Sequence, residues 1–210
     1  MTPGVLTQQE ILKYVKSNKI RFTPALDQFQ LQGHAVDLRL GYEFRIAKTS
    51  GITPKGREAF SVDYSDSKVR FDLIKLREEQ YFDILPKESV IVTSLEKISL
   101  PKNIMAIMFP RSSVNRRGLS VDLSGIIDAG YSGKLLIPVK NNTSSQTIRV
   151  YPGERFCQII FMPLTQDIDT QKSRWHENNI MVGRIPEKKS VEEKLVLKGK
   201  VKELKKKYKI

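Results

Sequence analysis

From Val69 to Pro163 the chain is cut into short β-rich pieces by turn residues, and this constrains the fold more than any other feature. The pieces fall at 81–85, 89–94, 104–109, 119–123, 134–139, 147–150 and 156–161. Pro86, Pro101, Pro110 and the Pro152-Gly153 pair separate them. Proline has no N–H to give a ladder, so it marks strand ends and edges. Many short strands with regular turns predict a mainly β fold, a barrel or a sandwich. No repeat recurs at a fixed period.

The flanks read differently. Thr7 followed by Glu10 has the capping-box pattern, and Ile11, Leu12, Tyr14 and Val15 follow at helical spacing, so a helix is expected over 8–17. Residues 20–32 read as extended or looped. The 34–41 segment alternates, with Val36, Leu38 and Leu40 on one side and Asp37 and Arg39 on the other. Residues 43–47 continue in strand register after a turn at Gly41, and 49–66 reads as a loop. After Pro163 the pattern weakens: 166–179 is polar around Trp175 and His176, and 182–186 resembles a docking segment. Leu197, Val201, Leu204 and Tyr208 recur at helical intervals, interrupted by Gly199. The expected division is a β domain over 1–186 and a basic helical extension over 187–210.

Charge follows that division. Of a formal net charge of +13, the last 24 residues carry +6, from ten Lys and four Glu. Mixed Lys and Glu at helical spacing describe a solvated helix, so nucleic acid is not an expected partner. No apolar run approaches the roughly 18 to 20 residues of a membrane span. The first residues show no charged-then-apolar export pattern, and Cys157 is the single cysteine, placed in an apolar strand as a packed core residue. These features together lead to the expectation of a cytoplasmic protein.

The densest chemistry lies in 110–133. Arg111 offers a planar fork of donors suited to phosphate, Ser112 and Ser113 add neutral donors, and Arg116 a second cation. Asp128 follows two isoleucines, so a strand delivers it to a site edge, whereas Asp122 reads as a solvent-facing strand residue. The stretch describes either a polyphosphate site beside a carboxylate or a polar hairpin loop. Other chemistries lack their residues. Zinc-dependent deamination needs a His/Cys ligand set, and this chain has one Cys and only His34 and His176. There is no Gly-x-Ser-x-Gly elbow, no Walker loop and no Gly-x-Gly-x-x-Gly. A lone carboxylate that activates water, helped by cations and hydroxyls on the phosphate oxygens, needs only what is present. Asp37 has two readings: it positions water or metal-bound solvent, or it pairs with Arg39 or Arg45.

In order, Asp37-Leu38 within 35–41, Pro110-Arg-Ser-Ser113, the 125–133 segment and the 152–158 segment resemble the four motifs of the trimeric dUTPase and dCTP deaminase superfamily. The N-terminal helix and the 36–41 phrase are closer to its deaminase branch. The resemblance implies a distorted β-barrel or jelly-roll, a homotrimer and sites between subunits. It implies that Arg111, Ser112, Ser113 and Arg116 bind a triphosphate, with Gln158 in support. The backbone around Leu136 to Pro138 would read the pyrimidine edge, and Tyr131 would pack on the deoxyribose. Mg²⁺ would ride on the phosphates with no direct protein ligand, Asp37 acting at most through water.

In the deaminases of this superfamily a Glu stands ten residues after the Asp of the third motif. Here that position is Pro138, which cannot carry a proton. The expectation is therefore a dUTP diphosphatase that releases dUMP, with Asp128 as the base. The alternatives are a dCTP deaminase, a bifunctional deaminase-hydrolase, or a non-catalytic nucleotide-binding homologue. The Gly-rich C-terminal motif of ordinary dUTPases is absent, and Lys172, Arg174 or Trp175 stand as substitute lid residues.

Overall fold

Thr7 opens the first helix as its sequence pattern requires. In the computed structural model, which describes residues 4–60, 71–122, 125–169 and 191–208, its hydroxyl accepts from the Glu10 N–H and its own N–H donates to Glu10 Oε2 at 2.8 Å. This capping box opens α1 (Gln8–Lys16), which buries Ile11 and Tyr14. The strands that follow are β1 (Arg21–Thr23), β2 (Val36–Ala47), β3 (Ser50–Thr53), β4 (Gly56–Ala59), β5 (Phe71–Lys75), β6 (Phe82–Ile84), β7 (Ser89–Ser99) and β8 (Ile104–Pro110). One helical turn, α2 (Ser112–Asn115), leads to β9 (Leu119–Val121), β10 (Ile126–Ile127), β11 (Ser132–Asn141), β12 (Ile148–Val150) and β13 (Arg155–Pro163). Two short helices, α3 (Val191–Leu197) and α4 (Val201–Lys207), are separated by Gly199 at φ +69°.

The chain divides into two units. The first comprises 1–46 and 73–180, the second 47–72 and 181–210. The first unit is built on a curled antiparallel sheet in the order β10-β8-β13-β2-β7-β11-β9, with β1 on β7 and β5 on β2 off that path. The mainly β, dUTPase-like expectation holds. Val36, Leu38, Phe44, Ile98, Ile104, Ile137, Ile159 and Phe161 are fully buried inside it. Each such side chain contributes about 1.5–3 kcal/mol on leaving water, an upper-range value for an extended reference chain. The second unit holds the β3–β4 hairpin and the two C-terminal helices. No helix among the described residues is long and apolar enough to cross a membrane.

Four local expectations change. The 49–66 loop contains the β3–β4 hairpin, in register from Ser50↔Ala59 to Thr53↔Gly56. Gly41 makes no turn: β2 runs straight through it, with the register to β7 shifting between Leu40 and Phe44. A Cβ at Gly41 would lie 2.6 Å from Thr93 Oγ1 and 2.9 Å from the Ser94 carbonyl oxygen, so the glycine serves a close approach of strands. His34 is an exposed bend residue before β2 and not a strand residue. Ser112–Asn115 forms one helical turn within the stretch that also reads as a polar hairpin loop. Lys172, Arg174, Trp175, His176 and the 182–186 segment lie outside the described residues.

Candidate functional site

Three strands set the floor of the site. In the ladder, β13 places Gln158 opposite Asp37 of β2 on one side and opposite Phe109 of β8 on the other. Residues opposed in this way share a face. β8 ends at Pro110, and the chain turns into α2 with the Arg111 N–H on the Phe156 carbonyl at 3.2 Å. The sequence neighbours Arg111, Ser112, Ser113 and Arg116 therefore stand over Asp37 and Gln158. Together they line a cavity of about 490 Å³. Gln32 and Asn115 line it too, and no motif pointed to Gln32, which comes from the loop before β2.

Asp37 is 2% exposed and its Oδ2 is crowded with donors. Arg111 Nε lies 3.3 Å away, Arg155 Nη1 3.2 Å and Gln32 Nε2 3.3 Å. Arg111 also donates from Nη1 to the Arg155 carbonyl at 3.0 Å, and Arg155 Nη1 donates to the Phe29 carbonyl. Asp37 thus pairs with Arg111 and Arg155, and Arg39 instead pairs with Asp27 at 2.8 Å. The expected Arg39 or Arg45 partner is corrected, because the strand alternation that puts Asp37 and Arg39 on one side cannot reveal cations brought in by β13 and α2. Burial pushes the Asp37 carboxyl above its ordinary value, against the pull of Arg111, Arg155 and Arg39. Arg111 is fixed in orientation, about a quarter exposed, and presents its remaining N–H groups to the cavity. The arrangement suits an anion with several oxygens. It does not suit a cation ligated by Asp37, whose Oδ2 is already occupied by guanidinium and amide donors. Among the described residues no group of three or more His, Cys, Asp or Glu is placed to hold a metal.

A second cluster forms around β11. β10 pairs with β8 through Ile126↔Ile107 and Ile127↔Ala106, and it delivers Asp128 into a turn closed by the Tyr131 N–H on the Asp128 carbonyl at 3.1 Å. Gly130 takes φ +79° there. Asp128 is exposed and its carboxylate has no hydrogen bond or ion pair among the described residues. Tyr131 folds back so that its hydroxyl donates to the Lys134 carbonyl at 2.9 Å, and burial pushes its pKa up to about 12. The ring fits because residue 133 is glycine: a Cβ there would stand 2.8 Å from the Tyr131 hydroxyl oxygen.

β11 lies between β7 and β9, but β9 covers only 139–141 of it. Beyond that ladder the Asp122 N–H donates to the Pro138 carbonyl at 2.9 Å. Two residues on, the N–H and C=O of Leu136 point the same way, past the end of β9. Among the described residues, nothing pairs with Leu136 on that side. Asp128, Tyr131, Leu136 and Pro138 do not line the 490 Å³ cavity of their own chain. A further cavity of about 410 Å³ shares Arg111 and Ser113 and mixes apolar walls, including Leu40, Val92 and Phe156, with Arg117, Arg149, Glu154 and Arg155. Part of its lining, Glu154, Arg155 and Phe156, comes from the 152–158 segment that resembles the fourth motif.

Residues 5–164 match the family model described as dCTP deaminase-like. A protein of Sulfurihydrogenibium sp. named "dCTP deaminase, dUMP-forming" is 37% identical over 75% of this chain and 82% of its own length. One of Methanosphaera stadtmanae with the same name is 32% identical over 83% of this chain and 86% of its own. Among solved structures, the 2'-deoxycytidine 5'-triphosphate deaminase of Agrobacterium tumefaciens superposes with a TM-score of 0.60 at 24% identity, over 78% of this chain and half of that one, which bears on the fold alone. These relatives overturn the expectation of a dUTP diphosphatase drawn from Pro138, since they are named for deamination. The physical reason is that a missing carboxylate at one position of β11 does not exclude a carboxylate supplied from a neighbouring strand.

Proposed function

This chain belongs to the dCTP deaminase-like family, and on that premise we propose that it is an enzyme converting dCTP to dUMP, ammonia and diphosphate. Two waters are consumed. One replaces the 4-amino group of cytosine, and the other attacks the α-phosphorus and displaces diphosphate. What carries this function is the 37% identity, over 75% of the chain, to a relative named for it. The site supports it in four places.

Arg111, Ser112, Ser113 and Arg116, with Gln158 behind them, grip the triphosphate, and Asp37 holds Arg111 in place. The Leu136 backbone reads the pyrimidine edge. Tyr131 packs on the sugar, where a 2′-hydroxyl would collide. Asp128, unpaired at the edge of its turn, takes the proton of the water that attacks phosphorus. The cradle and the β11 cluster are separate within one chain, which fits a homotrimer whose sites combine the cradle of one subunit with β11 of the next. Mg²⁺ fits as a companion of the nucleotide, neutralising phosphate charge, since the described residues offer it no ligand set.

The test is product analysis of the full chain with dCTP and with dUTP, each with and without Mg²⁺. Equal amounts of ammonia and diphosphate from dCTP, with dUMP as the nucleotide product, are expected. Binding of dCTP without ammonia release would overturn the proposal.

A further inference from the structure

Deamination at C4 needs a group that passes a proton from the attacking water to the ring nitrogen and the departing amine. Position 138, where the resemblance expects that group, holds proline. The carboxylate that can serve lies across the ladder. β9 and β11 are in register through Val139↔Val121, Lys140↔Ser120 and Asn141↔Leu119. One step further along this antiparallel register sets Asp122 opposite Pro138, and the Asp122 N–H donates to the Pro138 carbonyl at 2.9 Å. Directly opposed residues project from the same face with Cβ atoms about 4.5–5.5 Å apart. Val121 and Val139 turn together into the core, so Asp122 and Pro138 turn together to the opposite face. A carboxylate at 122 therefore reaches the space that a side chain at 138 would fill.

Other features agree. Asp122 is exposed, and its carboxylate makes no hydrogen bond or ion pair among the described residues. It lies just past the end of β9, on the side of β11 toward which the Leu136 N–H and C=O point. Pro138 has no N–H to donate back to Asp122, so the backbone bond between the two runs one way only.

We propose that Asp122 is the acid/base of the deamination step in this protein. This rests on the dCTP-to-dUMP function proposed above. The Asp122 carboxylate accepts a proton from water as the oxygen bonds to C4, and it donates that proton to the ring N3. In the tetrahedral adduct it takes the hydroxyl proton and passes it to the 4-amino group. The C4–N bond then breaks with its electron pair leaving on ammonia, the carbonyl of uracil forms, and Asp122 ends as it began.

Ammonia release from dCTP is measured across pH for the full-length wild type, Asp122→Asn and Asp122→Glu, with melting curves for each. The expected result is a fall in kcat of about 100-fold or more for Asp122→Asn with KM within about threefold, loss of the acid limb of the pH profile, and partial recovery in Asp122→Glu. If Asp122→Asn fails to fold, Asp122→Glu carries the test through a shifted acid limb. A kcat within threefold of wild type in Asp122→Asn, or a loss confined to KM, would overturn the assignment while leaving the deaminase function standing. No ammonia from the wild type would overturn that function first, and this assignment with it.

Discussion

Asp37 and Arg111 form a buried-to-exposed pair, with Oδ2 of the one 3.3 Å from Nε of the other and exposures of 2% and 27%. The carboxylate is sealed in and the guanidinium looks out. Such a pair spends its geometry on aiming the cation, since the remaining N–H groups of Arg111 face the cavity with their direction already set.

Asp37→Asn keeps the shape of the side chain but removes its charge. Triphosphate affinity is expected to fall by about tenfold, about 1.4 kcal/mol, because Arg111 and Arg155 lose their common anchor. Titration calorimetry with a non-hydrolysable triphosphate analogue reads this directly, and unchanged affinity would show that Arg111 is aimed by its bond to the Arg155 carbonyl instead.

Asp128→Asn separates the two chemical steps. Diphosphate release is expected to drop by about 10²- to 10⁴-fold, while ammonia release from dCTP continues and dUTP accumulates. Nucleotide chromatography follows the product; dUMP formed at the wild-type rate would remove Asp128 from the phosphorus step.

Gly133→Ala puts a methyl 2.8 Å from the Tyr131 hydroxyl oxygen and 3.1 Å from its Cζ. The clash is with the far end of one side chain, so the ring yields and the strand stays. Melting should shift by no more than the loss of one hydrogen bond, about 1 kcal/mol. Discrimination against the ribonucleotide should weaken several-fold, because Tyr131 no longer sits over the sugar. Kinetics with CTP against dCTP decide it.

Gly41→Ala is the contrasting case. Its Cβ would meet the Thr93 and Ser94 carbonyl oxygens at 2.9 Å, and backbone cannot swing aside. Overpacking of this kind costs about 1–3 kcal/mol, and thermal unfolding should move down by about 2–4 °C for each of those.

Glu96 is 1% exposed and accepts from Gln30 Nε2 at 2.7 Å and the Arg39 N–H at 3.1 Å. Burial raises its pKa above the ordinary 4.5, more than these hydrogen bonds lower it. The folded chain therefore holds this proton more tightly than the unfolded one. The stability it contributes is full below pH 4.5 and is lost as pH rises through the folded value. Comparing urea midpoints across pH, wild type minus Glu96→Gln should show that decline. A flat difference would mean that Glu96 titrates alike in both states.

Much of this was legible because it is local. The capping box of Thr7 and Glu10, the strand that delivers Asp128 and the cavity-lining cluster from Arg111 to Arg116 are each contained within a few residues, so spacing alone reveals them. Gly41 misled because a glycine in a strand reads as a turn until the strand pressed against it is known. Pro138 misleads further: the lack of a carboxylate there points to dUTP hydrolysis, whereas the relatives are named for deamination.

The sequence by itself determined the mainly β class, the N-terminal helix and the cluster of donors from Arg111 to Arg116, since periodicity and donor chemistry are properties of neighbours in the chain. Only the tertiary structure decided which distant residues they meet. Asp37 finds Arg155, 118 residues away, and Asp122 finds Pro138 across a ladder. Pairing between strands is set by burial of the whole sheet, and no stretch of sequence contains that information locally.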